Sequence, residues 1–491
     1  MQVLNAVAPP RGDGLPARST DLRRASLSAG VITLLVISAA SPLSVVAGGF
    51  PIGMMLGNGA GTPALVLVAL LILLVFAAGY TAMATCVTNA GGFYAMIARG
   101  WNGHAGGAAA MVAVLGYITL QFGLYGLLGA VTSEALEAQF GLAVPWWGCS
   151  LAAMATVAVF GYRQIDFSAK ILAVFVVAEY AVVLLLDVLI LHKGGAQGID
   201  LRSFDPQVIA GGNPFIGLLF CFAAFIGFES TAIYSEEAKD PKRSIPIATY
   251  GALLLVGSFY SFSLWCLVLG AGSGDVVARI TALRDPTQFL YVMSDSYAGV
   301  HFTSLLRGMF IASIYAGLIA FHNSTARYFY AMGREGLLPA WLGWTHPRHK
   351  SPHMASMLQS ALCAVVVIAF AVVGADPVLT QFAWLSNLAT VCLLVLMIGT
   401  AFAVVRFFRT DTRGYGRMRT RVLPVLSILG LLLVLALAVR NFHVLTGASG
   451  LISVALVALV PLAAAAGYLL ARRLGRTQPV RFAHLGQDRV E

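Results

Sequence analysis

The chain has 491 residues, of which 59% are apolar and only 11% charged, and its mean hydropathy is +0.83. That balance excludes the several water-soluble domains its length alone would suggest and implies an integral membrane protein with no large soluble domain. The formal charge of +10 would suit nucleic acid only on a folded basic surface; here the bases fall between apolar runs, so the charge reads as a topology signal and no nucleic-acid partner is expected.

Hydrocarbon about 30 Å thick is crossed by about 20 helical residues. Apolar stretches of that order lie at 30–56, 63–87, 107–133, 146–161, 168–191, 213–235, 247–270, 305–331, 354–374, 379–406, 422–440 and 450–471, which predicts an all-α integral membrane protein of twelve transmembrane helices. With the N-terminus inside, 25 of the 31 lysines and arginines fall on the cytoplasmic side. The outer six are Lys193, Arg202, Arg279, Arg284, Arg307 and Arg440. This bias predicts a multi-pass protein of the cell membrane with both termini cytoplasmic. A cleaved signal peptide ending near Ala39-Ala40-Ser41 would leave eleven spans and spoil the same bookkeeping.

Residues 1–25, with Pro9, Pro10 and Pro16, and the basic segment 472–491 are expected to be disordered cytoplasmic tails. Segment 271–304 is polar enough to leave the membrane and to carry a short external helix. The six cysteines lie singly in apolar runs and predict neither a disulfide framework nor a zinc site. His346, His349 and His353 form an HxxH followed by an HxxxH. Their basic loop holds no thiol or acidic ligand beside them, so no metal and no cofactor is expected. No Walker loop, HExxH or GxSxG is present, which argues against an ATP-driven pump or a membrane hydrolase.

Span one is interrupted by Ser38-Ala39-Ala40-Ser41-Pro42 and by Gly48-Gly49-Phe50-Pro51, and span six by Gly227 with Glu229 and Ser230 close behind. The two spans are five apart, so they cross the membrane in opposite senses. Broken helices at matching positions of inverted halves point to a midplane site in a secondary transporter, because unwound backbone at that depth must line a cavity or be buried in protein. Substrate contact is therefore expected at Ser41, Pro42, Leu43 and Ser44 of span one and at Phe225, Ile226, Gly227 and Phe228 of span six.

Of the 21 acidic residues, only Glu179, Asp187 and Glu229 fall inside apolar spans, where a carboxylate costs about 2.5–3.5 kcal/mol on insertion scales. Glu179, nine residues past Lys170, lies near the midplane and is a candidate proton carrier, cation ligand or amine counter-charge. Asp187 is expected to be a solvated residue near the outer interface. Glu229 is expected to couple or gate transport, or else to cap the break. The cytoplasmic run Glu236-Glu237-Ala238-Lys239-Asp240-Pro241-Lys242-Arg243 alternates in sign. An inner gate is expected there on Glu236, Glu237, Lys239 and Arg243.

Residues 225–249 resemble the span-six signature of the amino acid–polyamine–organocation permeases. Gly91-Gly92-Phe93-Tyr94, Arg327 with 331–339, and His346-Pro347-Arg348 extend that resemblance in order along the chain. It implies a leucine-transporter-type fold: a 5+5 inverted repeat at 26–191 and 192–409, with two peripheral helices in 410–471. It also implies amino acids or related amines as substrates, moved by alternating access and often coupled to protons, with sodium open as another coupling ion. The sequence departs from the family in three places. Ala39–Ser44 replaces its glycine-rich break, Thr88-Asn89-Ala90 replaces its proline before the Gly-Gly pair, and Glu179 stands where many proton-coupled members carry a lysine. An exchanger or exporter of amines or a small metabolite, and a non-transporting sensor or partner subunit, are the alternatives. No external cysteine is placed to link an obligate partner.

Overall fold

The computed structural model describes residues 27–87, 89, 91–163, 169–235, 237–283, 285–347, 349 and 351–486. Outside it fall the expected tail 1–25, Glu236 of the expected gate, and Thr88, Ala90, Ser168, Arg284, Arg348, Lys350 and Arg489.

The described chain is helical, with a single isolated bridge between Leu27 and Ala238. In order, α1 is Ala29–Ala40, α2 Pro42–Ser44 and α3 Phe50–Leu56, with a π-helical turn at Val45–Gly49 between the last two. Next come α4 (Thr62–Ala84), α5 (Phe93–Gly100), α6 (Gly103–Phe140), α7 (Trp146–Arg163) and α8 (Ala169–His192). They are followed by α9 (Pro206–Ala210), α10 (Pro214–Ala224), α11 (Pro241–Ala271), α12 (Val276–Thr281) and α13 (Phe289–Tyr297). The chain continues with α14 (Val300–Glu335), α15 (His353–Val372), α16 (Ala383–Phe407), α17 (Leu423–Arg440), α18 (Phe442–Thr446), α19 (Gly450–Thr477) and α20 (Pro479–Ala483).

Eleven helical stretches among the described residues are long and apolar enough to cross a bilayer. The expected fourth span falls on the shorter apolar helix Trp146–Tyr162, so the twelve expected spans correspond to eleven such stretches and this one shorter helix. Large apolar side chains such as Leu71, Val177, Val365, Leu429 and Leu462 face outward, as a lipid-facing surface requires.

Lipid tails are as apolar as leucine, so the helices are held by close packing rather than by hydrophobic exclusion. The α6–α19 contact shows this: a methyl group on Gly107 would sit 2.5 Å from the Ala471 Cβ and 2.7 Å from the Gly467 carbonyl oxygen. Around α6 gather α5, α7, α14, α16 and α19, which makes it the central post of the bundle.

The short helix expected in 271–304 is present as two, α12 and α13, whose Ile280, Phe289 and Leu290 are buried. The C-terminal segment differs from its expectation of disorder. Helix α19 runs on to Thr477, α20 follows, and Leu485 is buried. Phe482 packs tilted against His104 at 4.7 Å between centroids, and the Gly486 amide donates to Glu335 at 3.3 Å. An apolar pair and one buried acceptor thus anchor a stretch whose charge content alone reads as solvated.

Candidate functional site

Span one is broken where expected. Helix α1 ends at Ser41, whose left-handed backbone (φ 44°, ψ 66°) is strained for a residue with a Cβ. Two features hold it: the Ser41 hydroxyl donates to the Ser38 carbonyl at 3.1 Å, and Pro42 restarts the helix with a preset φ. Gly317 of α14 packs against the Ser41 hydroxyl, and a methyl group there would occupy the place of the Oγ.

Past the break the chain is tied to two distant helices. Ser44 donates to the Ser313 hydroxyl through both its amide (3.3 Å) and its own hydroxyl (3.1 Å), and Ser313 in turn donates to Glu179 Oε2 at 2.8 Å. The Leu43 amide faces the same carboxylate. Glu179 of α8 is therefore buried against the break, in a chain that joins α2, α14 and α8.

Span six breaks at Gly227 (φ 119°), a backbone region that a side chain rarely adopts. A Cβ there would also come within 3.2 Å of the Ala39 Cβ and 3.3 Å of the Ala40 nitrogen, so the two breaks touch. Beyond it the chain forms only a 3₁₀ turn, Phe228–Ala232, not a second α-helical half. Glu229 caps this turn. Its carboxylate accepts the Gly227 amide at 2.9 Å and the Tyr117 hydroxyl at 2.7 Å, while the Tyr80 hydroxyl donates to its carbonyl at 2.5 Å. Every distance lies in the hydrogen-bonding range, so a wholly buried carboxylate is served by its own turn and by α6.

Between the breaks lies a cavity of about 90 Å³. Of the eight residues expected to touch substrate, Ser41, Ser44 and Ile226 line it. Ile226 also lines a smaller void of about 10 Å³, with Phe225, Phe228 and Glu229, while Pro42, Leu43 and Gly227 line neither. Further wall comes from helices on which no substrate contact was expected: Leu120, Leu124 and Leu127 of α6, Phe321 of α14, and Ser386 and Asn387 of α16. Asn387, a polar residue within span ten, was the available signal.

The expected inner gate is rearranged. Glu237 is buried and pairs with Arg327 of α14, Nε to Oε1 at 2.9 Å and Nη2 to Oε2 at 3.4 Å, with the guanidinium 4.9 Å from the Tyr234 ring centre. Lys239 and Arg243 are exposed, and neither forms an ion pair among the described residues. A bidentate guanidinium held in a packed site outcompetes flexible lysines in water. Backbone bonds from Leu27 to Glu237 and from Lys239 to Leu27, both 2.9 Å, pin the same segment.

Asp187 also departs from expectation. It is buried, accepts the Ser263 hydroxyl of α11 at 2.6 Å, and so joins α8 to α11 inside the protein rather than meeting solvent. His322 lies buried beside Ser356 (2.7 Å) and Gln121 (3.4 Å), a polar cross-link of α6, α14 and α15. His346 stacks on His349 at 4.6 Å, and no cluster of metal-ligating side chains occurs among the described residues.

The stretches that carry the resemblance meet in space. Gly92 lies against the Tyr328 hydroxyl and Ile233, Asn89 donates to Glu335 at 3.2 Å, and Arg327 reaches Glu237. What the fold and site define is a helical membrane protein with two touching helix breaks beside a small cavity. Residues 36–478 match the family model described as "Amino acid permease", and the chain belongs to that family, one of membrane permeases and not of enzymes. It is similar to the low-affinity putrescine importer PlaP of Escherichia coli (strain K12), 26% identical over 258 residues, covering 49% of this chain and 52% of the relative. It is similar also to the branched-chain amino acid permease BcaP of Bacillus subtilis (strain 168), 26% identical over 274 residues, 55% of this chain and 54% of the relative. A third relative, the chloroplastic cationic amino acid transporter 9 of Arabidopsis thaliana, is 30% identical over 162 residues, 33% and 27% of the two chains. The chain thus spans about half the length of the first two relatives it matches.

Proposed function

We propose that the protein is a secondary active transporter that moves amino acids or related amines across the cell membrane by alternating access, with no obligate partner. The observation that carries this reading is the pair of breaks at Ser41 and Gly227, which touch each other beside one cavity deep in an apolar bundle. Backbone departs from the helix within the membrane only where protein or a cavity takes up its polar groups. Family membership and the names of the relatives support the same reading.

In this proposal 26–191 and 192–409 are the two inverted repeats, 410–471 supplies two peripheral helices, and both termini face the cytoplasm. The coupling ion is a proton carried by Glu179, in preference to sodium. The reason is the carboxylate's place: one proton on Glu179 changes the charge facing the Leu43 amide and the Ser313 hydroxyl, which both hold the break in span one. Glu229, fixed by its own turn, acts in gating, and the Glu237–Arg327 pair holds the inner side closed.

The test is uptake of labelled amino acids and amines into proteoliposomes, with and without an inward proton gradient and with sodium absent. Gradient-stimulated accumulation is the expected result. Uptake that needs sodium and ignores the gradient would overturn the proton assignment, and no uptake even in exchange mode would overturn the transporter reading.

A further inference from the structure

The hydrogen-bond inventory of the central cavity is one-sided. In an unbroken α-helix the carbonyls of Ala39 and Ala40 would take the amides of Leu43 and Ser44. Those two donors are diverted, Leu43 toward Glu179 and Ser44 to the Ser313 hydroxyl, so the two carbonyls lose their helical partners. Ala40 keeps only a long bond of 3.3 Å from the Tyr260 hydroxyl. At the other break the Ala224 carbonyl loses the Phe228 amide, which donates to Phe225 instead at 3.3 Å. Ala39, Ala40 and Ala224 all line the cavity. They are the last turns of α1 and α10, so both helices also end there with their negative poles.

Donors, by contrast, are spent. At break one Ser41 donates its amide to Ser38, Pro42 has none, and Val45 donates to Ser41. At break six Phe225 and Ile226 donate to Phe222 and Ala223, and Gly227 to the Glu229 carboxylate. The four polar side chains in the wall repeat the pattern. Ser41 donates to Ser38, Ser44 to Ser313, and Ser386 to the Phe382 carbonyl, while both amide hydrogens of Asn387 go to the Ala383 and Leu445 carbonyls. What remains on all four is acceptor capacity. No arginine, lysine or histidine lines the cavity among the described residues.

We propose that this cavity selects a primary amine with a compact apolar tail and no carboxyl group, in preference to the corresponding amino acid. The proposal rests on the transport reading above and narrows its substrate class. An ammonium group brings three donors to a wall of acceptors, and the alkyl tail packs on Leu120, Leu124 and Phe321. A substrate carboxylate would find no cation in the lining among the described residues, and Ser313 and Glu229 already hold the Ser44 and Gly227 amides. Leaving a charged group unpaired in such a site costs affinity steeply.

The discriminating pair is leucine and isoamylamine, which is leucine without its carboxyl group. Two readouts apply to the full-length protein in sodium-free buffer: competition for uptake or exchange in proteoliposomes, and thermal stabilisation of the detergent-purified protein. Isoamylamine is expected to act at concentrations on the order of tenfold or more below leucine in both. Leucine acting as well as or better than its amine would overturn the proposal while leaving the transporter reading intact. Neither compound moving or stabilising the protein would overturn the narrowed substrate class; whether the transporter reading falls too is then decided by the wider amino acid and amine panel.

Discussion

At Gly227 the chain enters left-handed backbone on a residue without a Cβ, and the carboxylate that caps the turn lies two residues on. At Ser41 it does so on a residue with a side chain, and the groups that stabilise the turn beyond it come from α8 and α14, more than a hundred residues away in the chain. The Gly227 break is therefore capped from within its own turn, with Tyr117 of α6 and Tyr80 of α4 bonded to the same glutamate. The turn beyond Ser41 is held through α8 and α14, so a relative shift of those helices acts directly on it. A locally capped turn behaves as a rigid part, and a turn capped across helices behaves as a coupling.

The largest expected effect breaks the locally capped side of this comparison. Gly227→Val forces a branched side chain into φ 119° and against Ala39, and should abolish uptake while leaving membrane insertion intact by protease-protection assay. Near-normal uptake would remove the break from the site. Next comes the buried ion pair: Arg327→Met leaves Glu237 unpaired and should cost about 3–5 kcal/mol of stability, read as a loss of thermal stability in detergent. The double variant with Glu237→Met should recover much of that, since an apolar pair leaves no buried charge unpaired.

A smaller and more selective change is expected across the coupled break. Glu179→Gln keeps an acceptor for Ser313 but fixes the charge at zero, so uptake should lose its response to a pH gradient while exchange persists. A mutant with the wild-type gradient response would refute the proton role. Ser313→Ala, which removes the link between Ser44 and Glu179, should cost about 1–3 kcal/mol of stability and weaken the same response. The smallest effect is Lys239→Ala. An exposed base outside the ion pair should change stability by less than about 0.5 kcal/mol and leave uptake rates unaltered in the proteoliposome assay.

The same contrast explains which parts of the site could be read along the chain. Gly227 with Glu229 announces itself because its cap is local, and the Ser-Pro step at 41–42 announces a break by backbone chemistry alone. Nothing near Ser44 points to Ser313, a serine among other small residues of a long helix, and nothing at Gly317 shows that it makes room for the Ser41 hydroxyl. Glu237 stands out by its charge, but its partner Arg327 does not, because the nearest bases in sequence are Lys239 and Arg243 and Arg327 is near only in space. Asp187 was misplaced for the same reason: depth along a helix is legible in residue counts, but the face it turns to a neighbour is not.

By itself the sequence determined that this is a helical membrane protein, which way its basic loops face as an expectation, where two helices must break and which three carboxylates needed a reason to be buried. Those properties follow from composition, period and backbone chemistry, which act over a few residues. The tertiary structure alone decided that the breaks touch and that α6 and α16 complete the cavity. It decided also that the Ser44 and Gly227 amides are held by the side chains of Ser313 and Glu229. Hydrogen-bond satisfaction in a dry interior is a condition on all the helices together, and no segment carries it alone.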